Sequence, residues 1–407
     1  MEEGRRTFLI LMKPSGNVRT LTWLAGDSDE PSPGLQNVVR TRRTGSSAFL
    51  LAFVSSMCWH SLAIPGETPA DSARSAIAEL LPILSYDTDT GFGYGVKVFA
   101  LNHLGSDESF DLVCFNSTKG ERWYRLVFSL PDFELRQGRM YPLALDLTID
   151  YDKWIANSFF GVGNRSRYED RETYTREPLE ISAVLSRGFS PVLVVQAGLR
   201  YKAVRHFNFS EDSRLSRLPP ALNASRVAFA SLSGTLRYDT RDSYVNPLNG
   251  LVLIGEMETV PHLPMCDVTF TRLGVWVQSY SKLSEQKIVL ATRLGIQALT
   301  GENLPVQVLL PVGGNNTVRG SPQDRFLDKV SAVGNAELRF PIFWRFGGVA
   351  GVDCGKVWGK LNDLDLREWA TNPVVGLRFY MDTFVVRLDV GFGKEMTGVY
   401  LNFGQVF

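Results

Sequence analysis

The sequence has no surplus of charge, with 43 Lys and Arg set against 43 Asp and Glu. Binding to nucleic acid through phosphate neutralisation wants a basic excess, so that class of partner is not expected. Histidine and cysteine are scarce, four of each in 407 residues. Cys58, Cys114, Cys266 and Cys354 form no CxxC pair, and His60, His103, His206 and His262 are scattered. No zinc, redox or other cofactor site is expected from that spacing. Cys58 follows Met57, where a lipoprotein processing signal wants a small side chain, and the other three cysteines suit single apolar wall positions. The sequence also lacks GxSxG, HExxH and a phosphate-cradling glycine motif, so an enzyme is not expected.

Long apolar runs are missing as well. Beyond Ala63 no stretch approaches the roughly eighteen consecutive apolar residues of a spanning helix, which excludes helical membrane crossing. Before it, Arg40, Arg42 and Arg43 lead a short apolar run from Ala48 to Val54 that closes on Ser61-Leu62-Ala63. This is the charged, apolar and cleavable pattern of a secretory signal, and the run is too short for about 30 Å of hydrocarbon. Residues 1–63 are therefore expected to be an upstream extension and a leader cleaved after Ala63. Residues 64–81 form a short periplasmic lead, and residues 82–407 form the folded domain.

What recurs after the leader is alternation with period two, the mark of strands with two different faces. Leu193, Val195, Ala197, Leu199 and Tyr201 oppose Gln196, Gly198, Arg200 and Lys202. Phe384, Val386, Leu388, Val390 and Phe392 oppose Arg387, Asp389 and Gly391. Alternation alone suits a soluble sandwich as well as a membrane barrel. Connection lengths favour the barrel. Tight breaks at Ser190-Pro191, 246–250 and 381–383 interleave with long polar stretches at 152–176, 207–225, 300–330 and 359–372. Short periplasmic turns and long external loops give that rhythm. The expected fold is all-β, a transmembrane antiparallel barrel of about sixteen strands in the bacterial outer membrane. The final segment puts Val399, Leu401, Phe403 and Phe407 on one side and ends on an aromatic residue. It resembles the C-terminal strand signal read by the outer-membrane assembly machinery.

Three segments then resemble one family in order: VGGNNTVRGSPQDRF (312–326), AVGNAELRFPI (332–342) and GGVAGVDCGKVW (347–358). They are similar to the third-last long loop and the next two strands of the BamA/TamA-type outer-membrane assembly and surface-antigen superfamily. SYDTDTGFGYG (85–95), FFGVGN (159–164) and YDTRDSYVNPLNG (238–250) agree with other parts of that family's barrel. The resemblance implies that the tip Val318-Arg319-Gly320 folds back inside the barrel and that Arg319 meets Asp353 of Gly351-x-Asp353-x-Gly355. Glu337 takes a second acidic position on the inner wall. Ser321 stands where an aromatic residue is usual, which implies a looser tip.

The residue types suit the task. A loop of some thirty residues has a large closure entropy and needs an anchor. Arginine offers a planar fork to a carboxylate, and the glycines at 351 and 355 let the loop approach the wall. A fixed plug and a moving gate both fit. The resemblance implies insertion or translocation of client polypeptides through a weakly paired seam between the first and last strands. About eighteen residues between leader and first strand are too few for a periplasmic client-binding domain. A small periplasmic partner would have to supply one. The alternative is a passive pore or structural surface antigen in contact with outer-membrane lipid.

Overall fold

The computed structural model describes residues 75–407 apart from 211, 220, 382 and 383. The expected leader over 1–63 and most of the lead over 64–81 lie outside the described residues. The chain runs through β1 (Ile77–Asp87), β2 (Gly91–Leu101), β3 (Ser109–Ser117), β4 (Arg122–Leu130), β5 (Tyr141–Phe159) and β6 (Glu172–Ser190). It continues through β7 (Leu193–Phe207), β8 (Arg226–Asp239), β9 (Gly250–Val260), β10 (Phe270–Lys282) and β11 (Val289–Thr300). A small hairpin, β12 (Leu310–Val312) and β13 (Phe326–Asp328), interrupts the order before β14 (Val330–Phe343) and β15 (Phe346–Trp358). The last three are β16 (Ala370–Tyr380), β17 (Val385–Phe392) and β18 (Thr397–Phe403). All but β12 and β13 join one closed antiparallel barrel, a wall of sixteen strands.

The alternation read from the sequence becomes the two faces of this wall. On β7, Leu199 is 62% exposed on the outer face while Arg200 is buried in the lumen. On β17, Leu388 and Phe392 face out while Arg387 and Asp389 are fully buried. The connections 160–171, 208–225, 301–329 and 359–369 leave from one rim, here termed the long-loop end.

Several boundaries differ from the sequence expectation. The first strand begins at Ile77, not 82, because Ile77–Leu81 already pairs with Lys97–Leu101 of β2. Pro82 sits inside β1 at a level where the strand has no register with β18, an edge setting that tolerates a missing N–H. The polar stretch 152–176 is mostly strand, since β5 runs to Phe159 and β6 starts at Glu172. Nine to eleven residues suffice to cross a membrane, so these 19-residue strands project beyond it, where polar residues are no obstacle. Cys266 lies in the connection 261–269 rather than in the wall.

The C-terminal reading also needs correction. Val399 and Leu401 keep the outward step, in register with Val390 and Leu388. Phe403 is instead buried in a cluster with Ile83, Val113, Phe115, Trp123 and Phe384. At Gly404 the backbone adopts φ 80°, which breaks the alternation. Phe407 then lies inside, clustered with Val252, Tyr280, Val289 and Ala291, its ring 5.2 and 5.1 Å from the Arg293 and Arg339 guanidiniums.

Fifteen of the sixteen strand junctions are full ladders and the sixteenth, β1–β18, still closes the ring, so detergent should not open the wall without heat. Unheated protein in dodecyl sulfate should therefore migrate differently from a boiled sample on a gel. Identical mobility would contradict the closed barrel.

Candidate functional site

The connection between β11 and β14 folds back into the lumen. Val312 and Val318 pack with Phe326 against Trp276, Val333 and Val357 of the inner wall, which seats the loop by apolar burial. Its tip then delivers Arg319 to a set of charges on β14, β15, β16 and β17. The register of these strands fixes the set: Asn335 is opposite Asp353, Glu337 opposite Gly351, Asp389 opposite Gly376, and Arg378 opposite Arg387.

Arg319 engages Asp353 most fully. Its backbone N–H and its Nε donate to Oδ2 at 3.0 and 2.7 Å, and Nη2 donates to Oδ1 at 2.9 Å. Nη1 reaches both Asp389 Oδ2 and Glu337 Oε1 at 2.8 Å. Asn335 donates a further bond to Asp353 at 2.7 Å. Arg339 holds Glu337 at 2.8 Å, Arg387 holds Asp389 at 2.8 Å, and Arg378 donates to Asp389 as well. Four guanidiniums and three carboxylates thus share a space where Arg319, Glu337, Asp353 and Asp389 are fully buried.

Backbone approach completes the contact. Gly320, at φ 84°, lies so close to β17 that a Cβ there would fall 2.6 Å from the Gly391 carbonyl carbon. A Cβ on Gly391 would meet Arg319 C at 2.4 Å. Gly320 N donates to Tyr400 Oη on β18 at 3.1 Å, and Asn372 Nδ2 donates to Arg319 O and Ser321 Oγ. Beyond the tip, Gln323 N donates to Asp89 in the β1–β2 turn, and Arg325 pairs with Glu395 in the β17–β18 turn.

Of the residues singled out in the sequence, the structure brings Val318, Arg319, Gly320, Glu337, Asp353 and Gly355 together. Gly355 admits the loop, since a Cβ there would stand 2.6 Å from Val312 Cγ1 and 2.8 Å from Val318 Cγ2. Gly351 does not: its nearest neighbours are Ala336 O and Glu337, so it clears room for a wall carboxylate rather than for the loop. The looser tip expected from Ser321 is not seen, as Ser321 is buried and bonded. Sequence reasoning missed Asp389, Arg387, Asn335 and Tyr400 as partners of the tip, and Arg378 as a partner of the carboxylates that hold it. Arg387, Asp389 and Gly391 were legible as a polar face, but nothing local pointed them at residue 319. Among the described residues no three His, Cys, Asp or Glu side chains gather as metal ligands. The geometry holds a loop by charge.

Replacing Arg319 with Ala leaves three buried carboxylates short of a partner, a loss on the order of 3 to 5 kcal/mol for a fully buried pair. Arg319→Lys should recover little of it, because an ammonium lacks the fork that spans Asp353, Glu337 and Asp389. The temperature at which the unheated gel band converts to the boiled one should fall for both variants. A lysine variant that matches the native protein would show that charge alone suffices.

Comparison with known proteins agrees with this architecture. The Omp85 superfamily domain matches residues 102–395. No curated protein sequence matches the chain. Among solved structures the barrel is similar to BamA from Haemophilus ducreyi lacking POTRA domains 1–3, at 14% identity and TM-score 0.59, covering 88% of this chain and 78% of that one. It is similar to CdiB from Escherichia coli at 12% identity and TM-score 0.57, covering 84% and 67%. CdiB from Acinetobacter baumannii follows at 14% identity and TM-score 0.55, covering 81% and 59%. Identities this low speak for the fold alone, but the domain match runs from the β2–β3 connection to the β17–β18 turn, and by it the chain belongs to the Omp85 superfamily.

Proposed function

We propose that the protein sits in the bacterial outer membrane with its long loops outside and helps polypeptides insert into or cross that membrane, working at the seam between β1 and β18. The observation that carries this reading is the poverty of the seam. β1 registers with β18 through two residue pairs, Tyr86↔Leu401 and Asp87↔Tyr400, against eleven pairs with β2. Among the described residues most of β1 therefore has a strand neighbour on one side only, and such an edge pairs readily with an incoming strand. β18 is short, seven residues against eleven in β1, and turns away at Gly404.

The loop and the seam share a residue. Tyr400 pairs with Asp87 across the seam and accepts a hydrogen bond from Gly320 at the loop tip. Asp89, just past β1, accepts from Gln323 on the same tip. Parting the strands disturbs the latch, and releasing the latch weakens the seam. Client polypeptides and a small periplasmic partner that presents them are the partners this reading asks for. A passive pore needs an open lumen, whereas here the loop packs within it and Leu304, Val306, Val308 and Leu309 cap its mouth against Phe229, Val260 and Phe270.

A disulfide across the seam tests the reading. With the native cysteines changed to serine, Tyr86→Cys and Leu401→Cys occupy opposed positions suited to a bridge. Barrels in liposomes should speed the membrane insertion of an unfolded outer-membrane client when reduced, lose that effect on oxidation, and regain it with reductant. Equal insertion by both forms would exclude the seam. No insertion by either, together with ion conductance, would favour the pore.

A further inference from the structure

Five adjacent strands carry charge on the outer face at the long-loop rim. Alternation fixes their direction. Arg122 and Lys153 share the outward step of Leu126 and Ile149, which are 40% and 48% exposed, and they stand directly opposite each other on β4 and β5. Glu177, Arg205 and Arg226 share the outward step of Ile181, Leu199 and Leu232, and Arg205 is opposite both Glu177 and Arg226. Like charges set directly across a strand pair are destabilising, and here that happens twice.

Among the described residues one carboxylate is paired with this row. Glu177 pairs with Arg205 at 2.9 Å and Lys153 at 3.6 Å, and it also accepts from Tyr151 Oη at 2.6 Å. Arg226 turns toward Tyr201 Oη at 3.0 Å, and Arg122 is exposed. Four bases against one acid leave a net charge of three on one patch. Elsewhere on the rim the outward positions of β9, β10 and β11 are Thr259, Thr271 and Thr300. Lys356, near the loop 359–369, is held by Asp365, whose carboxyl that hydrogen bond keeps below its usual range.

What lies beneath the patch says what covers it. Tyr124 and Tyr151 stack at 5.9 Å just inside it, while Phe207, one outward step nearer the rim than Arg205, takes Lys153 and Arg205 against its ring at 5.4 and 5.2 Å. Below these come the exposed aliphatic side chains. Apolar band, aromatic ring and basic row follow one another as in a wall that passes from hydrocarbon through the interface to the headgroups. We infer that Arg122, Lys153, Arg205 and Arg226 seat the phosphates of an anionic lipid headgroup in the leaflet at the long-loop rim. Several phosphate oxygens can take the guanidinium forks together and relieve the repulsion between opposed bases. The inference rests on the barrel crossing a bilayer and is independent of whether it moves polypeptides.

The test uses the purified full chain in neutral detergent, titrated with a diphosphorylated acyl glycolipid or its dephosphorylated form and read by native mass spectrometry. The native protein should prefer the phosphorylated lipid. Combining Lys153→Gln, Arg205→Gln and Arg226→Gln should weaken that binding by about tenfold or more, leaving the dephosphorylated form unaffected. The heat-dependent gel shift checks that the variant still closes into a barrel; if it does not, Arg205→Gln and Arg226→Gln singly carry the same test, each with a severalfold loss. Undiminished binding by the folded variants, or equal binding of both lipids by the native protein, would overturn the assignment.

Discussion

Arg319 is withdrawn from water and meets carboxylates lent by β14, β15 and β17, and the arrangement of the lumen depends on that meeting. A charge buried alone is costly, and so are the carboxylates it would leave behind. The cluster is tolerable because each carboxylate takes donors from more than one residue. Asp389 takes Arg319, Arg378 and Arg387, and Asp353 takes three bonds from Arg319 and one from Asn335. Such a network has a narrow geometric optimum. It fixes the loop tip to one register on the wall more sharply than apolar packing at Val312 and Val318 could, since apolar contacts tolerate sliding.

How much of this the sequence disclosed follows from the range of each signal. Alternation is local, so the two faces of β7 and β17 were legible from a dozen residues each. Gly404 marks where locality fails: a positive φ ends the period, and Phe407 departs inward although the pattern carried it outward. The ends of β5 and β6 were obscured for another reason. Above the apolar band a strand needs no apolar face, and Lys153, Glu177 and Tyr151 satisfy one another there while looking like loop residues in sequence.

Partner choice inside the lumen is the least local quantity of all. Arg319 and Asp353 were joined through a family resemblance, not through any property of residues 34 apart. Asp389 lies 70 residues from Arg319, on a strand whose polar face was visible but whose target was not. The barrel's closure, which brings β17 within reach of the loop, is what turns a row of alternating polar residues into a binding surface. Glycine carries the one hint available in advance, since Gly391 and Gly393 interrupt a strand where side chains would collide with Gly320.

The seam gains its meaning from where the loop grips. Both register pairs between β1 and β18 fall at the long-loop end, beside Tyr400, and both margins of the seam are tied to the same tip through Tyr400 and Asp89. Toward the other rim β18 has already ended, while β1 continues back to Ile77 with β2 as its strand neighbour. Separation of the two strands therefore meets least resistance away from the loop and most resistance next to it. A strand added to β1 from the short-turn side would extend an existing edge without first breaking a ladder, and would meet the latched region last. The buried ion network would then set the far limit of any such opening, because parting the final two pairs would move Tyr400 away from a loop tip that Asp353, Glu337 and Asp389 hold in place.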